Sequence, residues 1–251
     1  MSELLLRSRA VRRRRAPAPT DLLVALAMVL PTLAAWLYFV VLRDSAWSGP
    51  VYLAAKLVQF SLPLLAFRLA PEAGLPGPVA GARRADLLAG LGLGALMVAG
   101  VLAAWVGLVA GRPVEAEAAA RVTATLRVFQ VSSPLAYLAM SVGLSVAHAF
   151  LEEWYWRGYV YRHLGRRLAA APALVLASLA FASHHALVVG RYLPEGGFWP
   201  LGVLATLAVA VGGGLWCLLY RRSGSLLPPW VAHVLVDAAL MALGYRLVFS
   251  A

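Results

Sequence analysis

Seven stretches of this chain, at about 22–42, 51–68, 86–110, 134–163, 170–189, 199–220 and 226–248, are apolar over a length that crosses roughly 30 Å of hydrocarbon as a helix. The pattern predicts an all-α, polytopic transmembrane helix bundle of seven spans, or eight if the long 134–163 stretch divides in two. Between the third and fourth runs, residues 114–130 carry Glu115, Glu117, Arg121 and Arg127, too polar to span, and read as a loop or a helix lying at the interface. Residues 1–20 hold six arginines and an Ala-Pro-Ala-Pro tract, which predicts a basic, disordered cytoplasmic tail in front of a single membrane domain over 21–251. The 22–42 run exceeds the apolar region of a secretory signal and lacks a small-residue cleavage site, so it is read as a retained span.

Composition supports this reading. The chain is 62% hydrophobic and 13% charged, outside the balance of soluble globular domains. Its net charge of +11 would suggest nucleic acid in a soluble protein, but the arginines cluster between apolar runs with no basic, aromatic-interleaved face, and no nucleic-acid partner is expected. With the N-terminus inside, fifteen arginines fall in inside segments and six outside, which follows the positive-inside rule. The expected location is a bacterial cytoplasmic membrane with the N-terminus cytoplasmic and lipid all round. Cys217 is the single cysteine, so no intrachain disulfide forms, and it reads as a small packing residue.

Ionised groups inside a bilayer are costly unless paired or hydrated, so those that occur there point to function. Glu152, Glu153 and Asp237 are the acidic residues placed deep in spans, and His148, His184, His185 and His233 lie in spans too. These groups occupy three segments of the C-terminal half. Counting about 1.5 Å per residue from the assumed cytoplasmic ends puts Glu152 and Asp237 at roughly 17 Å depth, His185 at roughly 22 Å and His233 at roughly 10 Å. Three helices thus offer chemistry at similar depth, around one cavity.

Spacing separates roles. Glu153 and Arg157 are four apart and can pair along one helix face. Glu152 is turned about 100° from Glu153, free to face the cavity as a general base toward water. His233 and Asp237 are four apart, so the carboxylate can orient the imidazole, and His148, four before Glu152, can support it from behind. Each span histidine taken alone reads more readily as packing than as chemistry, and His148 and His184 are read that way first. The aromatic run Trp154-Tyr155-Trp156 reads as packing, and Gly212–Gly214 lacks the Lys and Ser/Thr of a phosphate loop.

Together, Glu-Glu-x-x-x-Arg at Glu152, Glu153 and Arg157, Phe-x-x-x-His at Phe181 and His185, and His-x-x-x-Asp at His233 and Asp237 resemble the three ordered motifs of the CPBP intramembrane proteases. That family contains the CAAX prenyl endopeptidases and bacteriocin-processing proteins. Ser223-Gly224-Ser225-Leu226-Leu227-Pro228 resembles the lead-in to its last motif. The resemblance covers about 145–240 and implies a protease core over about 134–248. It implies an intramembrane endopeptidase of glutamic type, in which Glu152 activates water with His185, while His233 and Asp237 steady the water or the oxyanion. Glu153, Arg157 and Phe181 are then supporting residues, with His148 and His184 behind them. The family more often carries Asn where Asp237 stands, and Asp donates a hydrogen bond only when protonated. The Phe181 spacing selects His185 over His184.

No cofactor is expected. The alternative is the same hydrolysis on zinc held by Glu152, His185 and His233. A proton-coupled transporter or scaffold is the reading from another class, disfavoured because the polar groups occupy one half of the chain. The expected partner is a protein or peptide substrate anchored at the membrane.

Overall fold

A computed structural model describes residues 19–43, 45–69, 71, 74, 77, 81–193 and 198–250. The tail reading for residues 1–18, and Asp44, Glu72 and Glu195, fall outside the described residues. Every regular element described is helical. Helix α1 runs from Pro19 to Trp36 and continues as a π-helical turn, Leu37–Val41. Then come α2 (Ser48–Leu69), α3 (Arg84–Ala104, with a π turn Trp105–Val109), α4 (Pro113–Val128), α5 (Pro134–Arg167), α6 (Ala170–Tyr192), α7 (a π turn Phe198–Gly202, then Val203–Ser223) and α8 (Leu227–Phe249).

Among the described residues, seven of these helices are long and apolar enough to cross a membrane, all but α4. The expected bundle stands with seven spans. Among the described residues the 134–163 stretch does not divide into two spans, because α5 continues through 34 residues without a break. Ser133 starts it by accepting the Ala136 N–H at 3.2 Å, with Pro134 in the first turn. Most of the 114–130 segment forms α4, which packs on α8 and α6.

The bundle is wrapped around α5, which touches α1, α2, α6, α7 and α8. Tyr155 to Tyr161 are buried without interruption, so this stretch has no outward face and forms the core with Phe181, Trp216 and Leu62. The outside carries Leu96 at 70%, Val106 at 67% and Leu57 at 63% exposure, side chains suited to lipid.

Backbone satisfaction explains one core contact. Pro31 inside α1 has no N–H to give the Ala27 carbonyl four residues back, and the Tyr155 hydroxyl donates to that carbonyl at 2.7 Å instead. Small residues set the closest helix approach. A Cβ on Gly90 of α3 would lie 2.5 Å from the Pro228 carbonyl of α8, and one on Gly94 would lie 3.0 Å from Ala232 Cα. At the end of α7, Gly224 takes φ +67° and its N–H bonds to the Tyr220 carbonyl at 2.8 Å, which stops the helix and turns the chain into α8.

Candidate active site

Two glutamates sit on one turn of α5, Ala149–Glu153, bounded by π-helical stretches Gly143–His148 and Trp154–Tyr161. Their carboxylates diverge, as the rotation between neighbours on a helix requires. Glu153 is fully buried, and its Oε1 accepts from Arg157 Nη1 at 2.9 Å and from His233 Nδ1 at 2.8 Å. Arg157 is held further by its Nη2 donating to the Gly213 carbonyl at 3.1 Å, and its guanidinium lies over the Phe181 and Trp216 rings, 4.6 and 5.1 Å from their centroids. Glycine at 213 permits this approach, since a Cβ there would stand 3.1 Å from Phe181 and 3.3 Å from Arg157. Phe181 and Gly213 thus support the arginine.

Glu152, 2% exposed, faces the other way into a ring of nitrogens. His184 Nε2 lies 3.6 Å from its Oε1, while His148 Nε2 and Lys56 Nζ each lie 3.7 Å away. His233 Nε2 is 4.0 Å from Oε2. These distances exceed direct hydrogen bonds and leave Glu152 in electrostatic contact with its neighbours. His185 gives Nδ1 to the Phe181 carbonyl at 3.0 Å, which directs its other nitrogen elsewhere, and its ring lies 4.1 Å from that of His184. His233 stacks on Trp216 with ring centroids 4.1 Å apart, and its Nε2 stands 3.5 Å from Asp237 Oδ1.

The structure therefore brings Glu152, Glu153, Arg157, Phe181, His184, His185, His233, Asp237 and His148 into one cluster. Four features differ from the sequence expectations. First, the carboxylate that hydrogen-bonds His233 at Nδ1 is Glu153, with Asp237 at the opposite nitrogen. Glu153 thus joins the arginine and the histidine, a link between helices that intrahelical spacing does not contain. Second, His184, read as packing, has a nitrogen nearer Glu152 than His233 has, and its ring stacks on Trp156 with centroids 5.7 Å apart.

Third, the donor atoms grouped tightly enough for a metal ion, all within 4.8 Å of one another, belong to Glu152, His184 and His185. The set expected for zinc had His233 in place of His184. His233 Nε2 lies 4.0 Å from Glu152 Oε2 and 3.5 Å from Asp237 Oδ1, and it is not part of that group among the described residues. Fourth, Lys56 reaches Glu152 from α2 in the N-terminal half. Polar groups at the site are not confined to three C-terminal segments. A single lysine in an apolar span was the available signal, and the depth at which it would meet Glu152 was the missing information.

Residues 134–239 match the family described as "Type II CAAX prenyl endopeptidase Rce1-like". The matched segment begins with α5 and ends two residues past Asp237, so it contains every residue of the cluster except Lys56. No curated protein and no solved structure matched the chain.

Proposed function

We propose that this integral membrane protein is an intramembrane protease of the CPBP family, a reading supported by the match over residues 134–239, and that it cleaves a membrane-anchored protein or peptide by glutamate-activated water. The observation that carries the reading is the isolation of Glu152. Glu153 is tied to Arg157 and His233 by short hydrogen bonds, whereas Glu152 meets nitrogens at 3.6–4.0 Å, beyond direct hydrogen bonds, which leaves its oxygens uncommitted and able to accept from a reacting water.

In this mechanism a carboxylate oxygen of Glu152 takes a proton from the water, and the oxygen adds to the peptide carbonyl carbon. His185, its Nδ1 committed to Phe181, presents Nε2 to the same water. The carbonyl oxygen becomes an oxyanion, and a proton held between His233 Nε2 and Asp237 supplies a donor for it. The C–N bond then breaks and the leaving nitrogen takes the proton carried by Glu152. Glu153 and Arg157 fix the His233 ring and stay outside the proton traffic.

The matched family is described as a CAAX prenyl endopeptidase, so the first substrate class to test is a C-terminal peptide held at the membrane by a lipid. In this reading the N-terminus, and so the amino-terminal end of α1, lies on the cytoplasmic side, which the positive-inside bias of the arginines supports. The test is to reconstitute the protein in phospholipid vesicles with a farnesylated CAAX peptide and its unprenylated counterpart, and to identify products by mass spectrometry. Cleavage by the wild type and none by folded Glu152→Gln is the expected result. Equal cleavage by Glu152→Gln overturns the glutamate mechanism.

The grouping of Glu152, His184 and His185 favours one second reading, in which these residues bind a metal ion that activates the water. Metal content of the purified protein and restoration of chelated samples by zinc separate the two.

A further inference from the structure

We infer that Lys56 is the positioning residue for Glu152, so that the catalytic centre is completed from α2, outside the matched segment; the role rests on the glutamate reading above. Glu152 is 2% exposed, and Arg157, the other cation beside the two glutamates, is already committed to Glu153. The Lys56 ammonium, 3.7 Å from Glu152, is the group that balances this second charge. A carboxylate left without a cation in such a site is strongly destabilised.

Lys56 is held in place and does not reach outward for water as a span lysine can. It donates to Gln59 Oε1 at 3.3 Å, and its ammonium lies 5.8 Å from the Tyr52 ring centroid and 5.6 Å from that of Phe60. Tyr52, Lys56, Gln59 and Phe60 follow the i, i+4, i+7, i+8 spacing of one helix face, and α2 packs on the π-helical part of α5. Phe60 continues that face onto the site by meeting the rings of His148 and Tyr155 at 5.8 and 6.1 Å. Gln59 is 2% exposed and its Nε2 has no hydrogen-bond partner among the described residues, a cost consistent with selection for its oxygen as the lysine's acceptor.

The geometry makes Lys56 act through Glu152: it sets the carboxylate's charge and the direction in which Oε1 is drawn, while Oε2 remains toward His233. Loss of the lysine therefore affects turnover more than substrate affinity.

The experiment uses the full chain in vesicles with the farnesylated CAAX peptide. Lys56→Met is expected to lower kcat roughly 100-fold, the scale of a misplaced reacting group, with KM changed little, and Lys56→Arg to recover most of the loss. Thermal unfolding in detergent supplies a readout that needs no substrate. Lys56→Met should lower the midpoint in the wild-type background and leave it unchanged or raised in Glu152→Gln, since the charge it balanced is gone. If Lys56→Met does not fold, Gln59→Leu carries the kinetic test with a smaller kcat loss of the same kind. Wild-type kcat in Lys56→Met, or in Gln59→Leu should that variant stand in, overturns the inference, as does an equal fall in midpoint in both backgrounds. An inactive Glu152→Gln beside a fully active Lys56→Met sinks this role alone; an active Glu152→Gln sinks the glutamate reading.

Discussion

His233 donates its Nδ1–H to Glu153 Oε1 at 2.8 Å, on the same oxygen that accepts Arg157 at 2.9 Å. One carboxylate oxygen thus ties α5 to α8, and through Arg157 and the Gly213 carbonyl to α7. The adjacent glutamates therefore differ in their contacts: Glu153 is tied by short hydrogen bonds, and the His233 ring it holds has its Nε2 4.0 Å from Glu152.

Removing that oxygen takes the charge partner from Arg157 and the Nδ1 acceptor from His233. Glu153→Leu is expected to cost about 3–5 kcal/mol, the range for breaking a buried ion pair on one side. Glu153→Leu/Arg157→Met, which removes both charges, is expected to recover much of this. Unfolding midpoints in detergent across the single and double variants check it; equal losses in both would assign the effect to packing.

Gly213 is expected to tolerate no side chain. Gly213→Val places its first atom 3.1 Å from Phe181 and 3.3 Å from Arg157 and adds two methyls beyond it. Overpacking of this kind costs about 1–3 kcal/mol. Because the displaced group is the arginine that holds Glu153, activity should fall further than stability. Comparing residual cleavage with the folded fraction measures that gap.

Tyr155→Phe removes the donor that serves the Ala27 carbonyl and is expected to cost about 1–3 kcal/mol. Pro31→Ala restores a backbone N–H to the same carbonyl, so the tyrosine substitution should cost much less in that background. A thermal-unfolding cycle over the four proteins decides it, and an undiminished cost would show the hydroxyl to matter for another reason.

His184 and His185 distinguish the two versions of hydrolysis. With water activated by Glu152 alone, a chelator leaves cleavage unchanged and His184→Gln is expected to retain more activity than His185→Gln. With a metal on Glu152, His184 and His185, both substitutions abolish cleavage and both lower the bound metal. Metal analysis of the three purified proteins beside their rates separates the outcomes.

Span number, span limits to within a few residues, the polar non-spanning character of residues 114–130 and the pairing of Glu153 with Arg157 were legible from the sequence. Each depends on local rules: hydropathy counted over about 20 residues, or neighbours four apart on one helix. The three polar segments of the C-terminal half were legible for the same reason, since an ionisable residue in an apolar run announces itself. Only the tertiary structure decided that Glu153 holds His233, that His184 replaces His233 in the tightest donor group, and that Lys56 arrives from α2. Those relations depend on how each helix is turned about its own axis and which helix it meets. Spans that are apolar on every side carry little record of that rotation, because lipid and protein interior accept the same residues. A soluble bundle writes the rotation into an apolar stripe; here it is set by contacts such as Gly90 on Pro228 and Tyr155 on Ala27, which exist only once the helices have packed.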